Sequence, residues 1–437
     1  MSVISARAIT RRSLLQGSLA AAGIFAARPF SGVAAAAEAT KLRLYWWGSQ
    51  DRARRTRGVA DLYHQRLPDV TIIGEPTGED YWTKLATQIV GRNMPDIFQL
   101  EPSTIADYSR RGACAPLDPY MGDKLKIDAF GKNIVDLCRV DGKVWGVGLG
   151  LNSFAMIYDV DVFAKAGIAP PTEATTWKQY AETALALTKA VGKEGYWGAP
   201  YGARYFYAFD VWLHQRNKGV YGNDGHGVGF NVDEAKEWFS YWEELRKAGG
   251  CVSADVQALD QNLIESNALT LGKAATGLVY SNQLIGYQSL SKNKLALTTY
   301  PQMGSGAPSG HYLRPALIWS VGVSSRNKEA AASFIDFFVN DLEAGKILGV
   351  ERGVPLSPAV REAILPLLNE TEQATVKYVN MLVDRAMPYP PPAPKGANEF
   401  DRTVMRPVTD ELAFGKLSVA DAAARLVNDG NRVLSAG

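Results

Sequence analysis

Apolar and polar positions alternate in short runs early in the chain and then settle into helical spacing. Residues 42–47, 70–74 and 96–100 read as strands. Between them, 51–66 and 79–91 repeat apolar side chains at helical intervals, with Tyr81, Leu85 and Ile89 on one face. This order predicts β-α-β units on a parallel sheet. Such sheets bind small molecules in the crevice beyond their strand ends, which directs attention to the turns Gly48-Ser49-Gln50 and Glu101-Pro102-Ser103. Neighbouring strand residues face opposite ways, so one of Trp46 and Trp47 belongs to the core, and Trp47 is favoured for the crevice.

Longer helices follow from about residue 160. Thr176-Trp177-Lys178-Gln179 has the form of a capping box and opens a helix that Gly192 ends. Asn231 is placed to cap another, in which Val232, Ala235, Trp238, Phe239, Trp242 and Leu245 make one apolar stripe. That aromatic stripe is core. A further helix is predicted over 328–348, and Ser418 opens a last one. The Pro-rich stretch 387–394 is too short for a disordered domain and reads as a rigid crossover.

Charge and composition narrow the partners. The 437 residues are 46% hydrophobic and 21% charged, as in a folded protein of two or three domains. With 47 basic and 45 acidic residues, no basic block is dense enough for nucleic acid. The first 37 residues hold Arg7, Arg11, Arg12 and Arg28, no acid, an apolar run and a small-residue stretch, which is the layout of an export signal. The core from Thr10 to Gln16 resembles a twin-arginine signal, with Gln16 where Lys is usual. Cleavage near Ala37 would remove all four arginines and leave a mature charge of about −2. The expected location is the periplasm. An oxidising compartment would permit a Cys114–Cys138 bridge with Cys251 left over, yet the odd count argues against dependence on it, so three reduced, buried thiols are expected. No Cys or His spacing suggests a metal site.

Several motifs in series carry a family likeness. Asp141-Gly142-Lys143-Val144-Trp145-Gly146-Val147-Gly148 is followed by 152–163, then by Gly167-Ile168-Ala169-Pro170-Pro171 and Thr176-Trp177. With Tyr81-Trp82, Pro95-Asp96-Ile97, Gly272-Lys273-Ala274-Ala275 and Asn327-Lys328-Glu329-Ala330-Ala331, this order resembles the extracellular solute-binding proteins of family 1, the sugar-binding receptors of ABC importers that include maltose-binding protein. Gly148 stands where that family usually has Pro, and Asp159 where it has Asn. The resemblance implies an α/β, two-lobed periplasmic-binding-protein fold of type II. It assigns 38–150 plus 322–375 to the N-terminal lobe and 151–321 plus 376–437 to the C-terminal lobe. Hinge residues would lie near 149–153 and 320–323 and in the segment leading to the Pro-rich stretch. The expected function is capture of a carbohydrate by lobe closure and its delivery to membrane permease subunits, by a monomer with no catalytic residues and no cofactor.

A sugar offers hydroxyls that need partners once desolvated and C–H faces that pack on rings, so its cleft mixes polar side chains with Trp and Tyr. By matched position the resemblance implicates Trp47, Gly48, Ser49 and Gln50 in the first turn, and Gln99 and Glu101 after the third strand. It also implicates Asn152 and Ser153 at the crossover, Arg204, Tyr205, Tyr207 and Asp210 along an aromatic wall, and Ser281, Asn282 and Gln283 in another turn. From the residues themselves, Trp319 in the returning strand is read as stacking on the ligand or packing in the core, and Arg352 as a planar fork of donors for a ligand acid or hydroxyl, or else a surface arginine. If Arg204 and Arg352 both face the cleft, an anionic sugar is favoured over a neutral one. Two other functions stay open. One is a two-lobed receptor for ferric iron, using Tyr205 and Tyr207, or for a polyamine. The other is a glycosidase or lyase drawing two carboxylates from Glu75, Glu79, Glu101 and Asp210, although no spacing singles out a pair.

Overall fold

A computed structural model describes residues 39–435 apart from 79, 223, 224, 262 and 392. The expected export signal, and Glu79 with it, lie outside the described residues. Strands β1 (Thr40–Trp47), β2 (Val70–Thr77) and β3 (Ile97–Leu100) pair in parallel, with the helices Gln50–Arg66 and Tyr81–Val90 in the connections. This is the β-α-β arrangement the apolar pattern predicts. The second strand runs past residue 74 through Pro76, which the ladder tolerates because β2 is the sheet's edge.

The chain then forms a hairpin, β4 (Arg139–Val140) with β5 (Lys143–Val144), and enters β6 (Val147–Gly148), β7 (Leu151–Asn152) and β8 (Phe154–Asp159). Later come β9 (Thr276–Tyr280), β10 (Leu295–Thr298), β11 (Arg314–Pro315) and β12 (Ile318–Val321). One sheet has the order β2-β1-β3-β12-β6, with β12 antiparallel to both its neighbours. A second, antiparallel sheet has the order β10-β8-β9. Between them in sequence, on the outward and the return path alike, lie β7 and β11, which pair with each other in an antiparallel ribbon.

Strand alternation covers the first sheet on both faces. Leu42, Leu44 and Trp46 pack with Val59 and Tyr63 of the first helix and with Phe334, Ile335 and Phe338 of helix Lys328–Asn340. Tyr45, Phe98 and Ile318 face Tyr81, Leu85 and Ile105 on the other side. The second core is aromatic: Trp238, Phe239 and Trp242 of helix Val232–Lys247 pack among Trp177, Tyr201, Phe209 and Trp212. Each fully buried ring of this kind is worth roughly 2–3 kcal/mol relative to exposure. Val232, predicted in that stripe, is exposed instead.

Local capping follows the sequence. The Thr176 hydroxyl accepts the Gln179 N–H at 3.2 Å while Gln179 Oε1 accepts the Thr176 N–H at 2.8 Å, and Asn231 and Glu234 do the same for their helix. The helix expected over 328–348 is two helices, Lys328–Asn340 and Leu342–Leu348. Asp341 breaks it by turning its carboxylate onto the Glu343 and Ala344 N–H groups, both at 3.0 Å, which starts a new helix. Helix Glu370–Val383 runs unbroken across residues 375 and 376 and packs on β10 and helix Leu284–Leu290. Cys114, Cys138 and Cys251 are all free and buried, and burial pushes the Cys114 and Cys138 thiols up to about 12.

Candidate ligand-binding site

At the end of β1, Trp46 is 1% exposed and part of the core, leaving Trp47 as the partly open indole. The Trp47 ring lies 4.6 Å from Tyr81 and 5.1 Å from Trp82, and its carbonyl accepts N–H bonds from Gln99 Nε2 and Arg52 Nη1, each at 3.1 Å. Gly48 has φ +148°, and a Cβ there would sit 2.4 Å from Arg52 Cδ, so the turn requires glycine. Ser49 caps the following helix by accepting the Arg52 N–H, and Gln50 is its exposed first residue. Gln99 is fully buried, yet its Oε1 has no partner among the described residues. Glu101 is half-buried at the end of β3, in a turn closed by Thr104.

The β7–β11 ribbon carries a second group. Asn152 lies opposite Arg314 in register. Asn152 is 7% exposed, and its Oδ1 has no hydrogen bond among the described residues. The Arg314 guanidinium sits 5.1 Å from the centre of the Tyr280 ring. Tyr280 in turn packs on Phe154 and Tyr207, both at 5.2 Å, and Tyr207 stacks nearly parallel on Tyr205 at 5.5 Å. Tyr312 stands edge-on to Phe154 at 5.1 Å and donates its hydroxyl to Asp210 at 2.9 Å. Asp210 also meets His214 Nε2 at 3.3 Å. Burial of His214 opposes the imidazolium more than any other single influence, but the nearness and the charge of the Asp210 carboxylate together outweigh it and raise the pKa. The outcome is one continuous aromatic wall, built from the end of β9, the start of β8 and helix Phe206–His214, beside a ribbon with an unmatched acceptor and a cation.

Other expected contacts are spent on the fold. The Ser153 hydroxyl donates to the Tyr312 carbonyl at 2.8 Å, and Ser281 Oγ accepts the Ser153 N–H at 3.1 Å, so this buried pair ties β8 to the turn after β9. Gln283 Oε1 accepts the Tyr280 N–H at 2.9 Å, while Asn282 is exposed. Tyr205 is buried and donates its hydroxyl to Asp260 at 2.6 Å. Arg204 donates to the Asp260 carbonyl at 2.6 Å and pairs with Asp410 at 3.1 Å. Trp319 and Arg352 belong to the first core. Arg352 packs 5.4 Å from the Trp319 ring, reaches Thr56 Oγ1 at 2.9 Å and pairs with Glu351 at 3.2 Å; burial pushes its pKa down to about 9 against the pull of Glu351. Arg204 and Arg352 are thus both neutralised from within, so the condition that favoured an anionic sugar through them is not met.

A profile of the bacterial extracellular solute-binding proteins matches residues 60–364. The chain belongs to this family. A family 1 extracellular solute-binding protein from Alicyclobacillus acidocaldarius superimposes with a TM-score of 0.80 at 27% identity, over 91% of this chain and 99% of that one. A lactose-binding protein of Rhizobium radiobacter is 24% identical over 365 residues, 78% of this chain and 79% of the relative. An sn-glycerol-3-phosphate-binding periplasmic protein of Salmonella typhimurium is 24% identical over 292 residues, 64% of each. The two sheets, joined through the paired crossovers, are those of the family's two-lobed fold.

In this solute-binding protein Tyr280, Tyr312 and Arg314 join the wall and the ribbon, although none was among the expected contacts. A signal was present: Tyr280 directly precedes the Ser281 turn, and Tyr312 and Arg314 alternate in the run that leads into β12. Among the described residues, cavities also lie elsewhere. One of about 210 Å³ opens between the first helix and β1–β2, and a small one adjoins Arg352 inside the first core. Among the described residues no group of three His, Cys, Asp or Glu is arranged to hold a metal ion, and no helix is long and apolar enough to cross a membrane.

Proposed function

We propose that this solute-binding protein is the receptor of an ABC importer, exported to the periplasm with its leader removed near Ala37, and that its cargo is a carbohydrate. One lobe comprises 38–150 and 322 to the end of helix Pro358–Ile364; the other comprises 151–321 and the chain from helix Glu370–Val383 onward. The ligand sits between Trp47 and Gln99 of the first lobe and the aromatic wall of the second, and closure rotates the lobes about the β7–β11 ribbon. Delivery to the permease follows from the closed form, with no bond made or broken.

The observation that carries this reading is the unmatched Asn152 Oδ1 in register with Arg314, whose guanidinium lies over the Tyr280 ring that packs on Tyr207. A buried acceptor costs free energy until a donor meets it, and a sugar hydroxyl is such a donor. Aromatic faces stack on the C–H faces of the same ring. Gln99 Oε1 repeats the unmatched acceptor on the other lobe, so a ligand touching both stabilises closure over opening, as a receptor requires. The lactose-binding relative is consistent with this cargo. The carboxylates an enzyme would need are dispersed: Glu75 pairs with Arg43 at 2.7 Å on the sheet edge, whereas Asp210 serves Tyr312.

A thermal-shift screen of the mature protein against neutral, acidic and amino sugars, with polyamines and ferric citrate alongside, tests the proposal. A bound sugar at a hundredfold its dissociation constant adds roughly 2.7 kcal/mol of apparent stability. Stabilisation by a polyamine or ferric iron alone, with every sugar silent, would reject the carbohydrate reading.

A further inference from the structure

Building on that carbohydrate reading, we propose that the cargo is a sugar bearing an anionic substituent, and that Arg314 is the residue that seats it. Arg314 lies in the ribbon joining the lobes, half-buried, with its guanidinium over Tyr280 and with Tyr312 and Tyr389 gathered round it. Among the described residues it forms no ion pair. The contrast with other arginines near the wall is direct: Arg204 has Asp410 at 3.1 Å, and Arg406 has Asp401 at 2.6 Å. The wall's own carboxylate, Asp210, is committed to Tyr312 and His214.

A guanidinium drawn out of water among phenol rings has lost hydration that no internal carboxylate repays. A ligand anion arriving there gains more than it would on an exposed arginine, because the surroundings screen the attraction less and the planar fork offers two parallel N–H donors. Arg314 supplies only donors, and the opposing Asn152 Oδ1 supplies only an acceptor. A ligand satisfying both must carry an acceptor-rich anion and a hydroxyl on one small frame. The adjacent Tyr280 and Tyr207 rings add a stacking surface for that frame. Uronic acids and sugar phosphates share this chemistry; neutral sugars leave Arg314 with the Tyr280 hydroxyl but without a counter-charge.

Calorimetric titration of the mature protein with galactose, galacturonate and galactose 6-phosphate, and with lactose and digalacturonate, tests the inference. The expected result is about tenfold to a hundredfold tighter binding of an acidic member than of its neutral counterpart, the size of a charge-assisted hydrogen bond. The advantage shrinks as salt rises and disappears in Arg314→Gln, while Arg314→Lys keeps part of it. Galacturonate or galactose 6-phosphate winning identifies carboxylate or phosphate as the group. Should Arg314→Gln fail to fold, the wild-type comparison and its salt dependence decide alone. Equal or tighter binding of the neutral members overturns the inference and leaves the carbohydrate reading standing. Silence from all these sugars, with stabilisation by a polyamine or ferric citrate, overturns both.

Discussion

Asn152 and Arg314 face each other across the antiparallel β7–β11 ribbon, so the outward and the return crossover present their polar side chains side by side. The ribbon is held from behind as well. The Leu151 N–H reaches the Val354 carbonyl at 2.6 Å, and the Val354 N–H returns to Leu151 at 3.0 Å. Both residues thus sit where the chain passes between the two sheets, and under the proposed closure they would move with the ribbon.

Neighbouring Asn152 and Ser153 are expected to respond oppositely to truncation. Asn152→Ala removes an acceptor that holds nothing internally, so it should change folding stability by less than about 1 kcal/mol while abolishing the ligand-induced thermal shift. Ser153→Ala removes the donor to the buried Tyr312 carbonyl and should cost about 1–3 kcal/mol in urea unfolding. Equal stability loss in both variants would mean that Asn152 is a structural residue.

Gly150 marks where the crossover has no room. A Cβ there would lie 2.0 Å from the Arg352 carbonyl oxygen and 2.8 Å from Gly353 Cα, both backbone atoms that cannot step aside. Gly150→Ala should destabilise the protein by more than about 3 kcal/mol, whereas Gly78→Ala, with nothing within 4 Å, should be near neutral. Chemical denaturation of the two variants beside the wild type checks this. A mild Gly150→Ala would show that the ribbon and the Arg352 loop separate easily.

Arg352, expected at the cleft, is instead predicted to act through the first core. Its guanidinium lies over both Trp319 and Phe338, and its partner Glu351 keeps a second ion pair with Arg52 at 2.7 Å. Arg352→Met keeps much of the volume and strands no carboxylate, so a loss of about 1–3 kcal/mol is expected, with sugar affinity unchanged. A large fall in affinity at near-native stability would return Arg352 to the site.

What the sequence disclosed depended on how locally each feature is determined. The split between Trp46 and Trp47 follows from strand alternation, and the Thr176 and Asn231 caps from residues three apart, so all were legible. Asp341 was not, because helical apolar spacing resumes beyond Asn340-Asp341 and only the turn of its carboxylate onto the Glu343 N–H shows the break. Whether an arginine is spent or free is set by remote partners. Asp410 takes Arg204, Glu351 and Thr56 take Arg352, and no carboxylate among the described residues takes Arg314. Apart from Glu351, which directly precedes Arg352, nothing in the residues around these arginines records that difference.

The site should also be sensitive to acid through His311, just before Tyr312 and Arg314. The imidazole is fully buried, with Nδ1 at 2.9 Å from the Ser309 carbonyl and Nε2 accepting the Tyr300 N–H at 3.1 Å. Burial holds its pKa down at about 4, against the upward pull of the Ser309 bond. Between the unfolded value near 6.5 and that folded value the unfolded chain binds the extra proton, so stability is complete above about pH 6.5 and falls as pH drops toward 4. The full loss is on the order of 3 kcal/mol. Protonated Nε2 would turn a donor onto the Tyr300 N–H and loosen the turn that positions the ribbon. Urea unfolding at pH 7, 5.5 and 4.5 should show this slope in the wild type and a flatter one in His311→Gln, each read against its own pH 7 value. Parallel slopes in the two proteins would assign the acid sensitivity to other groups.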